Sequence, residues 1–250
     1  MNEYEYFSEK INWTGFFPFP RSLFQDSQEH TTGPWARLPF AAKSILPAIL
    51  CFVNKNGTCY PSIKQISAFA GTSPNTTRAG IEGLKALPFF TVKKKITARG
   101  KMQNHYHFRL PDFSMKKQAF PFHRAIIQGG NWSQLTPSAQ ALYPVMRHFG
   151  FYDPASELLE YDGSGYGKRE FDLCEADLCV LAECAGIGGR TVREALICLE
   201  ENHLIRSVDE YRKTFFVYLK PLATYPPEAL NHKAVKRLGR KKNAVSTGRF

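Results

Sequence analysis

The feature that most constrains the fold is a repeat within the sequence. The motif FPFPR at residues 17–21 returns as FPFHR at residues 120–124. A shift of 97 residues relates Trp35, Leu38, Ala42 and Pro47 to Trp132, Leu135, Ala139 and Pro144. A shift of 115 residues relates Gly71, Thr76, Arg78, Ile81 and Leu84 to Gly186, Thr191, Arg193, Leu196 and Leu199. Because the matches keep their order and the changes of shift fall in loops, they indicate an internal duplication.

Residues 60–87 of the first copy predict two helices joined by a tight turn. Ser62 and Gln65 have the spacing of a capping box, and Gly71 supplies the positive φ that the turn requires. A second helix follows, with Ser73 as N-cap, Pro74 at its first position, and an inward stripe formed by Thr77, Ile81 and Leu84. Its exposed start presents candidate residues for contacting base edges in a DNA major groove, namely Ser73, Asn75, Thr76 and Arg78.

A basic β-hairpin is predicted directly after these helices, with strands at 89–96 and 106–110. It carries five cations within nine residues, which are Lys93, Lys94, Lys95, Arg99 and Lys101. We expect them to contact phosphates beside the groove, which would make binding strongly dependent on salt. The alternative is a solvated, charged strand edge that only blocks pairing with other strands.

An apolar helix at residues 38–53 and a short strand at 58–60 precede the two helices, and Pro47 should kink or break the first of these elements. The order helix, strand, helix, helix, hairpin is that of a winged helix. The predicted fold class is therefore α+β, with two tandem winged-helix domains related by internal duplication. Residues 1–112 form an N-terminal arm and the first domain, 113–232 a linker and the second domain, and 233–250 a basic flexible tail.

Charge separates these three parts of the chain. The net charge is +11, yet residues 113–232 hold 12 Lys/Arg against 15 Asp/Glu. Residues 1–112 hold 14 against 7, and residues 233–250 hold 7 against none. The first domain and the tail are therefore the expected contacts for a polyanion. The tail candidates are Lys236, Arg237, Arg240, Lys241 and Lys242.

The second copy offers Arg190, Thr191 and Arg193 at the start of the equivalent helix. Two interpretations stay open, because the body of this copy is acidic and Glu194 or Glu200 is a candidate ion-pair partner for Arg193. The helix either binds DNA directly or contacts a partner, such as a second copy of the chain.

Several kinds of chemistry are not expected. The segment GSGYGK at residues 163–168 departs from a Walker A sequence, since Asp162 and Arg169 stand where glycine and Ser/Thr are required. The six cysteines form no CxxC pair, and the five-residue spacing of Cys174, Cys179 and Cys184 does not place them on one helix face, so no metal or other cofactor is predicted. No catalytic constellation is apparent, no apolar run spans a bilayer, and the start is not a targeting peptide. We expect a cytoplasmic protein that is not an enzyme and has no membrane partner.

The stretch NGTCYPSIKQIS, followed by G-x-S and T-x-R-x-x-I-x-x-L, resembles the winged-helix domains of phage and plasmid replication initiators and related regulators. The resemblance implies that Asn75, Thr76 and Arg78 face the groove. It also implies double-stranded DNA as the partner, with a second subunit or the replication machinery as further partners. The expected function is sequence-specific DNA binding in replication initiation. A transcriptional regulator is one alternative, and a winged-helix protein-interaction scaffold is another from a different class; a nucleic-acid-processing enzyme comes third.

Overall fold

The computed structural model describes residues 15–24, 32–96, 100–109, 119–151, 171–209 and 214–219. These residues form helices together with antiparallel strands, so the predicted α+β class is confirmed. No helix in the described ranges has the length and apolar character that crossing a membrane requires. The domain boundaries predicted at residues 112 and 232 fall outside the described residues and stay predictions.

The first group of elements follows the predicted order of helix, strand, two helices and hairpin. It consists of α2 (Phe40–Leu50), β2 (Thr58–Cys59), α3 (Ile63–Ala70), α4 (Pro74–Leu84), β3 (Phe90–Ile96) and β4 (Met102–Phe108), preceded by β1 (Phe16–Pro20) and α1 (Pro34–Arg37). The strands form one antiparallel sheet in the order β2-β4-β3. The return strand β4 begins at Met102, earlier than the predicted 106, because it pairs with β3 along the whole length of that strand.

The second group has the same order of elements. It consists of α7 (Pro137–Phe149), β6 (Phe171–Cys174), α8 (Leu178–Ala185), α9 (Gly189–Glu201), β7 (Ile205–Asp209) and β8 (Thr214–Tyr218), preceded by β5 (Ala119–His123), α5 (Arg124–Gln128) and α6 (Asn131–Gln134). Its sheet order is β6-β8-β7. In each group the last strand therefore lies between the other two. The sequence did not predict strand β6.

The two FPF segments pair with each other. β1 and β5 are antiparallel, with Phe17 opposite Phe122, Pro18 opposite Pro121, and Phe19 opposite Phe120. The pairing is symmetric about the two prolines, and a two-stranded sheet consists only of edge strands, where proline is tolerated. The ring of Phe19 stacks at 5.2 Å from Phe120, and all four phenylalanines are buried. These aromatic arms therefore join the two groups of elements to each other.

Two buried tryptophans make reciprocal hydrogen bonds across the same junction. Trp35 Nε1 donates to the carbonyl oxygen of Ala141 in α7 at 2.9 Å. Trp132 Nε1 donates to the carbonyl oxygen of Ser44 in α2 at 2.8 Å. Both donors and both acceptors are related by the shift of 97 residues. Each indole thus satisfies its buried N–H on the first long helix of the other group.

A second reciprocal pair caps the ends of the short helices. Lys43 Nζ donates to the carbonyl oxygen of Ala185, the last residue of α8, at 2.8 Å. Gln140 Nε2 donates to the carbonyl oxygen of Ala70, the last residue of α3, at 3.0 Å. The equivalent carbonyl oxygen is thus bound by the Lys43 ammonium in one case and by the Gln140 amide in the other. Burial lowers the pKa of Lys43 to about 8, because the charged form loses its hydration.

The sequence predicts that Pro47 kinks or breaks α2; the helix continues through Pro47, so the prediction of a break is wrong. Proline removes one backbone hydrogen bond from a helix interior, which normally disfavours it. Here every residue from Ala42 to Leu50 is buried, and α7 likewise continues through Pro144. Packing of α2 against α7 in one continuous apolar core outweighs the local cost.

One buried ion pair ties the second sheet to this core. Arg147 in α7 donates to the Asp172 carboxylate in β6 at 2.6 Å, and both side chains are at most 3 % exposed. The same guanidinium donates to the carbonyl oxygen of Pro121 at 3.0 Å. The pair therefore fixes α7, β6 and β5 relative to one another, and loss of either partner would leave a buried charge.

Candidate nucleic-acid interface

The start of α4 has the predicted cap. Ser73 accepts a hydrogen bond from the Thr76 backbone N–H at 3.1 Å, and their hydroxyl oxygens lie 2.9 Å apart. Pro74 follows at the first helical position, where its missing N–H is not needed. Ser73 and Thr76 are both exposed. Their hydroxyls thus define the helix start, and they remain on the surface.

Asn75 and Arg78 are also exposed, and they contact each other. The Arg78 guanidinium donates to Asn75 Oδ1 at 2.8 Å, one helical turn apart. This bond uses one of the five N–H donors of the guanidinium. The remaining donors and the Asn75 amide face solvent together, a pairing that sequence reasoning did not predict.

The opposite side of α4 is held by close packing. The predicted inward residues Thr77, Ile81 and Leu84 are buried. A side chain added at Gly80 would lie 2.6 Å from the carbonyl oxygen of Ala41 in α2. Glycine inside a helix costs about 1 kcal/mol relative to alanine. In α4 this cost is offset, because the glycine lets two backbones approach and fixes which face of α4 points outward.

The basic hairpin presents its cations on both faces. β3 and β4 pair so that Lys93 lies opposite His105, Lys94 opposite Asn104, and Lys95 opposite Gln103. Alternation along the strand therefore places Lys93 and Lys95 on one face and Lys94 on the other. These lysines and Lys101 are exposed, and Arg99 lies outside the described residues.

Two features of the hairpin were missed by sequence reasoning. Near its tip, Ile96 and Met102 are cross-strand partners and are 72 % and 61 % exposed. At its base, a small open pocket of about 90 Å³ includes Lys93, His107 and Arg109 among its lining residues. The register of the sheet brings these three together, and only a correct strand alignment could have indicated it.

Charge over this region is strongly one-sided. Between residues 32 and 109 the sequence holds twelve Lys/Arg and one acidic residue, Glu82. Glu82 is itself bound by Lys85 at 2.7 Å. The exposed start of α4 and the basic hairpin therefore carry a positive potential with little local compensation.

The corresponding helix α9 differs from α4. It has Gly188 as N-cap with no side-chain cap, and Thr191 is half-buried. Arg190 forms an exposed ion pair with Glu194 at 3.4 Å. Arg193 is exposed, and Glu200 instead accepts a hydrogen bond from the Ser207 backbone. The pairing suggested for Arg193 is therefore wrong, and it is Arg190 that has the acidic partner.

Other predicted features lie outside the described residues. These are the GSGYGK segment and the five tail cations Lys236, Arg237, Arg240, Lys241 and Lys242. Within the described ranges, no group of three or more His, Cys, Asp or Glu side chains could hold a metal ion. The six cysteines are free thiols; Cys179 is exposed, Cys198 is half-buried and the other four are buried.

Comparisons with protein-family models, with curated proteins and with solved structures give no match to this chain.

Proposed function

We propose that the chain is a sequence-specific double-stranded DNA-binding protein built from two winged-helix units that arose by internal duplication. The equal order of elements and the equal strand order in the two groups support the duplication. The reciprocal bonds of Trp35 and Trp132, related by the same shift that relates the sequences, support it independently. Under this proposal α4 is the recognition helix, and the basic hairpin is its wing.

The observation that carries DNA binding is the surface at the start of α4. Asn75 and Arg78 are exposed and hydrogen-bonded to each other, and the chain after α4 forms a hairpin with three exposed lysines in a row. Amide and guanidinium groups are the side chains best suited to hydrogen-bond adenine and guanine edges. Lysines on the hairpin that follows α4 in the chain suit phosphates, which position a protein on the duplex.

The two units are proposed to act unequally. Their symmetric pairing through β1 and β5 is the kind of arrangement in which two recognition helices meet two half-sites. However, α9 carries an Arg190–Glu194 ion pair, and the sequence around it is acidic. The first unit is therefore the main contact for DNA, and the second binds a second half-site, a twin subunit or the replication machinery.

A protein contact is the second candidate function, and one observation favours it for the second unit. Ile197 in α9 is 58 % exposed, and Val180 in α8 is 37 % exposed. An apolar side chain facing outward from a recognition helix suits a protein surface better than a phosphate backbone.

Binding of random duplexes followed by enrichment and sequencing tests the proposal. We expect Arg78→Ala and Asn75→Ala each to lose about 1–3 kcal/mol on the enriched site while binding to random duplex is nearly unchanged. Arg37→Ala is the matched control, because it removes an exposed arginine outside this surface. An equal loss on random and enriched duplexes would contradict base contacts by α4.

The pattern of enriched sites distinguishes the biological roles. Repeated sites beside an A·T-rich segment favour an initiator of plasmid or phage type, which is the role we propose. A single palindrome at a promoter favours transcriptional regulation. Retention of no duplex at physiological salt would favour the protein-interaction scaffold.

A further inference from the structure

The outer face of the first sheet is almost entirely polar and cationic. Partners opposite each other in a sheet share a face, so Thr58, His107 and Thr91 lie in one row across the three strands. Lys93 and His105 form the next row. The opposite face packs Phe90, Tyr106 and Phe108 into the core, so the outer face is defined as Thr58, Thr91, Lys93, Lys95, Gln103, His105, His107 and Arg109.

The pocket at the base of the hairpin opens on this face. It is lined by Asn56, Thr58, Thr91, Lys93, His107 and Arg109, together with Gly57 and Phe108. Its volume of about 90 Å³ is well below the roughly 300–1,000 Å³ of pockets that hold organic ligands. A small ion therefore fits it better than a metabolite.

The charges around the pocket are uncompensated. Neither Lys93 nor Arg109 forms an ion pair with another described residue. His107 Nε2 is shielded from solvent and has no hydrogen-bond partner within the described ranges. An anion would give the shielded ring nitrogen a hydrogen-bond partner and would balance the two neighbouring cations.

We propose that this pocket binds one phosphate group through Lys93, Arg109 and the imidazole of His107. An ammonium, a guanidinium and a ring N–H together supply several donors around one point, which matches an oxyanion with several acceptor oxygens. The phosphate belongs either to the DNA backbone, in which case the inference rests on the proposed function, or to free phosphate, in which case it does not. In the first case the pocket anchors the hairpin to one strand of the duplex.

The titration of His107 gives an independent measurement. Burial lowers the pKa of His107, as do the positive charges of Lys93, Lys95, His105 and Arg109. Lys93 and Lys95 lie on β3, and His105 and Arg109 lie on or next to β4. The titratable group of β2 is the Cys59 thiol, which lies on the opposite, buried face, and burial raises its pKa. An anion in the pocket opposes the field of these positive charges and should therefore raise the pKa of His107. Sulfate is the suitable anion for this pH titration, because its charge does not change between about pH 5 and 8.

The first experiment titrates inorganic phosphate into the full chain and follows the His107 imidazole resonances by NMR. We expect a saturable shift, with binding weakened about tenfold in Lys93→Gln, because a charge-assisted hydrogen bond is lost. Lys94→Gln is the matched control, since it removes the same charge from the adjacent residue on the other face. No saturable shift, or equal weakening by the two variants, would overturn the pocket.

The second experiment adds duplex DNA and measures both anisotropy and the His107 resonances. Movement of these resonances by phosphate and by duplex alike identifies the backbone as the source. If phosphate moves the His107 resonances and the duplex binds without moving them, free phosphate is the ligand of the pocket. A duplex that does not bind, with the phosphate response intact, refutes DNA binding and leaves the pocket. A duplex that binds while neither ligand moves His107 refutes the pocket and leaves DNA binding.

Discussion

The turn between α3 and α4 offers a sharp test of how the two units are joined. Gly71 has φ +67°, and a Cβ built there would overlap the carbonyl oxygen of Ser133 in α6. Alanine in this left-handed conformation costs about 1–2 kcal/mol. Overlap with a backbone atom that cannot rotate away adds about 1–3 kcal/mol, the usual cost of overpacking. We therefore expect Gly71→Ala to reduce the free energy of unfolding by about 2–5 kcal/mol.

Urea denaturation of matched variants separates the two contributions. Gly100 has a similar φ of +72°, but a Cβ there would meet nothing within 4 Å. Gly100→Ala should therefore show only the conformational cost of about 1–2 kcal/mol. Gly186→Ala should resemble Gly71→Ala, because its Cβ would overlap the carbonyl oxygen of Ala36 in the equivalent contact. If Gly71→Ala costs no more than Gly100→Ala, the turn does not contact α6, and the described junction between the units is incorrect.

Two further predictions concern charge. Burial lowers the pKa of Lys43 from 10.5, the ordinary value for lysine, to about 8 in the folded chain. Between these two values the unfolded chain holds more protons than the folded chain, so the contribution of Lys43 to stability rises with pH. Lys43→Gln, which copies the amide of Gln140, is the reference variant. Relative to it, we expect the free energy of unfolding of the wild type in urea denaturation to rise by about 1 kcal/mol between about pH 7 and 9. A difference between the two proteins that does not change with pH would contradict the lowered pKa. Deletion of residues 233–250, which removes seven cations, should weaken binding to all duplexes and flatten the dependence of log K on log salt. An unchanged slope would show that the tail does not contact DNA.

Local features were predictable because nearby residues determine them. The Ser62–Gln65 capping box, the left-handed Gly71 and the Ser73 cap follow from backbone groups that need partners within one helical turn. The inward stripe of α4 follows from helical periodicity, and the alternation of Lys93 to Lys95 follows from the two-residue period of a strand. The order of elements in the first unit was predictable for the same reason.

Other features required distant parts of the chain. The pocket at the base of the hairpin depends on the register that sets His107 beside Thr58 and Thr91, which no local pattern specifies. The Arg78–Asn75 hydrogen bond depends on the rotamers of both side chains. The sequence spacing of the two residues is compatible with several rotamers and does not select one.

The sequence by itself determined that two sets of residues match in the same order and where the cations lie, since both follow from residue identity and order. Only the tertiary structure decided how the units meet. The FPF segments could each have packed on their own unit, but β1 pairs with β5. This pairing gives the backbone groups of the two strands hydrogen-bond partners and buries all four phenylalanine rings. Likewise, α2 stays helical through Pro47 because burial of the helix against α7 outweighs a lost hydrogen bond.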